Sequence, residues 1–214
     1  ALAEKGLSVW ALEAQAGMIQ ALRDRMASLP EDAAARIHPV QADMANFSIP
    51  APRFDRILIP YNGLYCLLDA ARVNDCLRLA YEHLAPGGQL ILDAYVTFVT
   101  DPDFDPKAEE AEEDAWMTVV THEGKDIEII ERSNWKPKEQ FIEAIYTYRL
   151  PLESGHFKEQ TCRIPQRYLS ETQLREALTQ AGFSKQHWYG DFEDSPFDEQ
   201  SQTMIVVAEK TTTT

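Results

Sequence analysis

The chain has 214 residues, 44% hydrophobic and 26% charged, which fits one α/β domain with an insertion or two small domains. Its formal charge of −15 argues against a nucleic-acid partner, since phosphate binding needs a basic patch. No run of about 18 apolar residues occurs, so no membrane span is predicted, and three cysteines without a C-x-x-C pair predict reduced thiols in a cytoplasmic protein.

The first half alternates helix and strand. ALAEKG reads as a helix end with a turn at Gly6, and the stretch to Glu13 as a strand ending on an acid. Met18, Leu22, Met26 and Leu29 share one helical face. ARIHPVQADM is a short strand that ends on Asp43. The apolar run Ile57–Ile59, stopped by Pro60, predicts a buried parallel strand. Val73, Leu77, Ala80 and Leu84 give the next helix, with Cys76 at core spacing; APGG breaks it and QLILDAYV forms a strand. Alternation at these lengths predicts βαβ units and a parallel sheet.

The second half has a different rhythm. The acidic run Asp101–Ala115 reads as a solvated loop and helix start. From Trp116 to Ile164 four extended runs are separated by EGK, KPKE and PLESG, which is turn chemistry, and no helix is predicted. Partial alternation of apolar and polar residues predicts an antiparallel meander with one covered face. Ser170 and Gln173 form a capping-box pattern, Leu174, Ala177 and Leu178 the apolar face of a helix, and Gly182 its end. SKQHWYGDF and TMIVVAEK close the chain as strands, and the TTTT tail is predicted to be disordered.

The acids at the strand ends are the first candidates for chemistry. In an open α/β sheet, ligands bind beyond the carboxyl ends of the strands. Glu13 after the first strand suits the two hydroxyls of a ribose; Asp43 after the second suits an exocyclic amine of adenine. Each acid alone is weak evidence, and the pair in one βαβ series is stronger.

Several stretches, in order, resemble a class I S-adenosylmethionine-dependent methyltransferase. VWALEAQAGMIQALRDR is similar to that family's second strand and ribose-binding acid, and QADM to its adenine-side acid. FDRILIPYNGLYCLL resembles the fourth strand and following loop, LAYEHLAPGGQLILDAY the Pro-Gly-Gly turn and fifth strand, and the last helix and hairpin resemble the family's close. The resemblance implies a Rossmann-like, doubly wound, mostly parallel sheet with an antiparallel last strand, plus an antiparallel β-meander insertion. It implies a core of residues 1–99 and 167–210, an insertion of 100–166 and a tail of 211–214. It also implies a methyl transfer to N or O of a small molecule. Glu13, Ala14, Met18, Ala42, Asp43, Met44, Pro60, Tyr61 and Tyr65 would line the cofactor. Asn62, Tyr95, Trp135 and Arg167 would meet the substrate, and Tyr61 or His122 would assist catalysis.

One part of the family pattern is missing. The glycine-rich loop that cradles the cofactor, and the strand before it, are not in this sequence; Gly87-Gly88 lies at the opposite end of the sheet. That strand is central, so its absence predicts unpaired backbone edges on the strands at Glu13 and Ile57–Ile59, each unsatisfied group costing about 1–3 kcal/mol. An N-terminal segment preceding Ala1 in the natural protein is therefore expected. His156, at the start of the last meander strand, is a further candidate from the insertion, and His38, His83 and His187 have no assigned site role. No metal-ligand spacing and no G-x-S-x-G occur, so neither a metal nor an acyl-enzyme is predicted. The meander's edge strands need covering, which favours a homodimer through them. Two alternatives stay open: a non-catalytic binding or dimerising module, and a nicotinamide-dependent oxidoreductase, against which the closing hairpin argues. The acidic charge weakly favours a cationic or amine substrate.

Overall fold

The computed structural model describes residues 1–50, 53–97, 116–122, 124–152 and 155–211. The acidic run Asp101–Ala115 and the last three threonines lie outside them.

A short 3-10 turn, Ala3–Lys5, ends on Gly6 in the left-handed region, as ALAEKG predicts. β1 (Val9–Glu13) leads through α1 (Ala16–Met26) and a four-residue α2 (Glu31–Ala34) to β2 (Ile37–Gln41), which pairs with β1 in parallel from Val9↔Ile37 to Glu13↔Gln41. β3 (Phe54–Ile59) follows, then a 3-10 turn at Gly63–Cys66, α3 (Ala70–His83) and β4 (Leu84–Tyr95). The Asp69 side chain caps α3 by accepting from the Arg72 amide at 2.9 Å.

The APGG segment differs from the expected simple break, because it belongs to β4. The parallel register jumps from Phe54↔Leu84 to Arg56↔Gln89, so the extra residues bulge. Gly87 has φ 75°, and a side chain on Gly88 would meet the carbonyl oxygens of Ala85 and Phe54 at 2.9 Å.

The meander is present. β5 (Trp116–His122), β6 (Lys125–Lys136), β7 (Phe141–Pro151) and β8 (Phe157–Arg167) form one antiparallel sheet in sequence order. Its helical content among the described residues is a 3-10 turn, Pro137–Glu139. α4 (Glu171–Gln180) carries both hydrogen bonds of the predicted capping box. β9 (Lys185–Tyr189) and β10 (Thr203–Glu209) form the closing hairpin, with β10 antiparallel to β4.

α3 and α4 cover one face of the β3-β4-β10-β9 sheet. Leu77, Leu90, Leu92, Leu174, Leu178, Phe183 and Val206 are fully buried there, and Ile142 of the meander joins the same cluster. The opposite face explains one correction. The run Ile57–Ile59 was expected to be buried, yet Leu58 is 49% exposed while Ile59 is buried, since the helices cover only the side that Ile59 faces.

The parallel sheet is divided. β1 pairs with β2 and β3 with β4, and neither β1 nor β3 has a second hydrogen-bonded neighbour among the described residues. Trp10 bridges the division by side chain: its ring stacks on His38 at 4.3 Å and meets the Phe54 ring edge-on at 5.3 Å.

Candidate active site

Strand direction brings Glu13, Asp43, the Pro60–Asn62 loop and Tyr95 to the carboxyl ends of β1 to β4. Glu13 Oε1 accepts the Gln15 amide at 2.8 Å, and the Glu13 carbonyl accepts the Ala42 amide at 3.1 Å. The first bond closes the turn after β1, and the second joins the ends of β1 and β2, beside Ala14 and Ala42. Met18 is 60% exposed on α1, and Met44 packs on the core.

Asp43 is more committed than its sequence position suggests. Its Oδ1 accepts the Ala45 amide at 2.9 Å and its Oδ2 accepts Arg72 Nη2 of α3 at 2.6 Å. The Ala45 amide, followed by Arg72, holds this carboxyl below the usual carboxylate range. A carboxylate has about four lone-pair positions, so it retains capacity for a further donor.

The loop after β3 is unusual. Tyr61 and Asn62 both adopt left-handed backbone, with φ of 57° and 56°. Their amides donate to Asp93 Oδ1 and Oδ2 at 3.0 and 3.3 Å. Asn62 Oδ1 in turn accepts the Tyr95 amide at 2.7 Å.

Tyr61 and Tyr65 were expected to act together as cofactor wall, and their environments differ. Tyr61 is 89% exposed, whereas Tyr65 is fully buried. The intervening 3-10 turn points Tyr65 into the core, where its hydroxyl lies 3.0 Å from the Tyr95 carbonyl and 3.2 Å from that of Leu169. Burial pushes its phenol upward.

The meander reaches this site through β8. Tyr95 packs edge-on against Tyr65 at 5.0 Å, and its hydroxyl donates to Gln166 Oε1 at 3.0 Å. Burial raises the Tyr95 phenol, and the nearby Tyr65, Tyr168, Cys66 and Tyr146 add to the effect. Cys66 also bonds Gln166; burial raises its thiol first, and the charge of Glu13 raises it further. Farther along the same face, Tyr146 of β7 donates to Glu131 Oε1 of β6 at 3.0 Å. Burial, then the bond to Glu131, pushes that phenol up to about 12.

Trp135 lies in the seam between meander and core, 6.3 Å from the Tyr168 ring, and Arg167 is the last, half-buried residue of β8. His122 is placed elsewhere. Its backbone pairs with Lys125 at the hairpin end of β5, six positions from Trp116, or about 20 Å along the strand. The strand's length thus separates it from the Tyr95–Gln166 contact.

Sequence reasoning missed Asp93, Gln166, Cys66, Arg72 and the Glu131–Tyr146 pair. Asp93 had a readable signal, a charge inside the apolar strand QLILDAY. The others are joined by tertiary register. Among the described residues no three His, Cys, Asp or Glu side chains gather as a metal site, and no helix is long and apolar enough to cross a membrane.

The comparisons agree with this architecture. Residues 1–88 match the family model described as methyltransferase domain. The CcbJ methyltransferase from Streptomyces caelestis superposes with a TM-score of 0.72 at 24% identity, covering 98% of this chain and 77% of that one. CalS10, an amino pentose methyltransferase from Micromonospora echinaspora solved with S-adenosylmethionine bound, gives 0.68 at 18% identity, covering 95% and 74%. The sugar N-methyltransferase KedS8 from Streptoalloteichus gives 0.69 at 18%, covering 94% and 70%. A search of characterised protein sequences finds no significant match. The structural likenesses establish the fold, which is that of S-adenosylmethionine-dependent methyltransferases, and the family model marks residues 1–88 as similar to a methyltransferase domain. The donor set fits S-adenosylmethionine: two carboxylates at adjacent parallel strand ends can accept from hydroxyl and amine groups.

Proposed function

We propose that this chain methylates an amine nitrogen of a small molecule. When bound, S-adenosylmethionine supplies a methyl group on a sulfonium centre. In this reading Glu13 accepts from the ribose hydroxyls and Asp43 from the adenine amine. Ala14, Met18, Ala42 and Met44 line that end, and Pro60 and Tyr61 flank the methionine end. The substrate lies between Asn62 and Tyr95 below and the inner face of the meander above, with Trp135 and Arg167 at the seam. Tyr65 supports this floor from inside the core.

The observation that carries nitrogen over oxygen is the hydrogen bonding of the phenol at the site. The Tyr95 hydroxyl is committed as a donor to Gln166 Oε1 at 3.0 Å, so it offers no base to a hydroxyl nucleophile. A hydroxyl nucleophile benefits from a base. An amine that has lost its proton to water needs only its lone pair aimed at the methyl carbon, about 3–3.5 Å away. The Glu131 carboxylate, with Tyr146 bonded to it, is suited to hold the cationic form of such a substrate. CalS10 and KedS8, which share this fold, are described as amino pentose and sugar N-methyltransferases.

Calorimetry with S-adenosylhomocysteine tests the cofactor side. Binding that Glu13→Ala or Asp43→Ala abolishes supports the enzyme; no binding supports the scaffold alternative, and preference for a nicotinamide nucleotide supports an oxidoreductase. Mass spectrometry on matched amine and alcohol acceptors tests the nucleophile, and methylation of the alcohol alone would overturn it. The three cysteines, all free, are compatible with a cytoplasmic setting. The exposed Met117, Val119 and Val120 of edge strand β5 favour a homodimer through the meander, which light scattering on Val119→Lys examines.

A further inference from the structure

Tyr61 and Asn62 hold left-handed backbone side by side without glycine at either position. A Cβ in that region crowds the following carbonyl, so such residues persist only where their surroundings over-determine them. The β ladder cannot do this here. Its last pair is Ile59↔Leu92, and Pro60 has no N–H with which to extend it.

What holds the pair is one carboxylate. Each oxygen of Asp93 accepts one of the two consecutive amides, from Tyr61 at 3.0 Å and Asn62 at 3.3 Å. The bonding is reciprocal, because Asn62 Oδ1 accepts the Tyr95 amide two residues beyond Asp93. A strand side chain holds the loop backbone, and a loop side chain holds the strand backbone. Leu92 and Ala94 face the packed core, while Asp93 lies on the other, half-buried face of β4, where its carboxylate reaches the loop amides.

We propose that Asp93 is a positioning residue, fixing the left-handed Tyr61–Asn62 turn in the shape that receives the methyl-donor end of the cofactor. This rests on the reading of Pro60 and Tyr61 as a wall of that site. Asp93 itself touches neither cofactor nor substrate; it acts through two backbone amides.

Asp93→Asn keeps the side chain's size but turns one acceptor into a donor facing an N–H. The variant is expected to weaken S-adenosylhomocysteine binding at least about tenfold, since a charged acceptor of two amides is lost. KM for S-adenosylmethionine rises more than kcat falls, and the melting temperature stays close to wild type. The deciding measurement is a cycle with Tyr61→Gly, because glycine adopts positive φ without crowding. In that background Asp93→Asn is expected to cost less than about threefold, the turn no longer needing to be forced. Equal losses in both backgrounds would overturn the clamp. Amide exchange at Tyr61 and Asn62 gives a readout independent of binding: slow in wild type, fast in Asp93→Asn. If wild type binds no S-adenosylhomocysteine, the cofactor reading fails. Exchange alone then decides whether Asp93 clamps the turn, and rapid exchange in wild type overturns it.

Discussion

The two ends of this chain make their strands in different ways. Every member of the main buried cluster lies between Ile59 and Ala208, drawn from β3 and the turn after it, α3, β4, the foot of the meander, α4 with its flanking residues, and β10. The β1-α1-β2 unit contributes Ile19 as its one fully buried large side chain, and β1 and β2 join over only five register pairs. Yet that thinly buried unit carries Glu13 and Asp43, the acids assigned to the cofactor. Free energies of local opening follow buried apolar contact, so the binding half should open more readily than the supporting half. A ligand that gathers both acids would then do part of the ordering.

The largest effect that tests this contrast is a pair of core truncations. Leu174→Ala should lower global stability by about 2–5 kcal/mol, because Leu174 is fully enclosed and its loss leaves a cavity. Ile19→Ala removes a side chain just as enclosed, but within the outlying unit. Its expected signature is faster exchange of β1 and β2 amides with little change in the global unfolding midpoint. Equal global losses by denaturant melt would erase the distinction between the regions.

The next effect is ligand-borne. S-adenosylhomocysteine at a hundredfold excess over its Kd should stabilise the bound state by about 2.7 kcal/mol. The gain in exchange protection should concentrate in Val9–Glu13 and Ile37–Gln41, with β4 and β10 much less affected. Glu13→Ala should remove that gain. Uniform protection across both regions would mean that the β1-β2 unit is already as firmly held as the core.

The same contrast decides what was legible in the sequence. Helix α4, its capping box, the closing hairpin and the four-stranded meander are written in local patterns, and all are present. The divided sheet was legible because a resemblance fixed which strand should lie between β1 and β3, and neither has another partner there among the described residues. Harder to read were matters of side-chain direction. Nothing in YNGLY says that Tyr61 turns to solvent and Tyr65 to the core; the 3-10 turn decides it. The distance of His122 from the site follows from meander register, and Gln166 meets Tyr95 across 71 residues of chain. Asp43 was read as open for adenine, although α3 supplies Arg72 to it.

That ion pair supports the smallest prediction. Asp43–Arg72 ties the β1-β2 unit to α3, with side chains 39% and 47% exposed. At such exposure water and salt screen the attraction, so a double-mutant cycle should return about 0.5 kcal/mol and no more than about 1. The sign with pH follows from the lowered carboxyl. Asp43 binds its proton less readily folded than unfolded, so its contribution is fully present above the unfolded value near 4 and is lost as pH falls through the lower folded value. The Ala45 amide, the larger cause of that lowering, survives in Arg72→Ala, so the variant should keep most of the acid dependence while losing the salt-sensitive part. A coupling of several kcal/mol, unmoved by salt, would show that this pair anchors the N-terminal unit to the core far more tightly than its sparse burial implies.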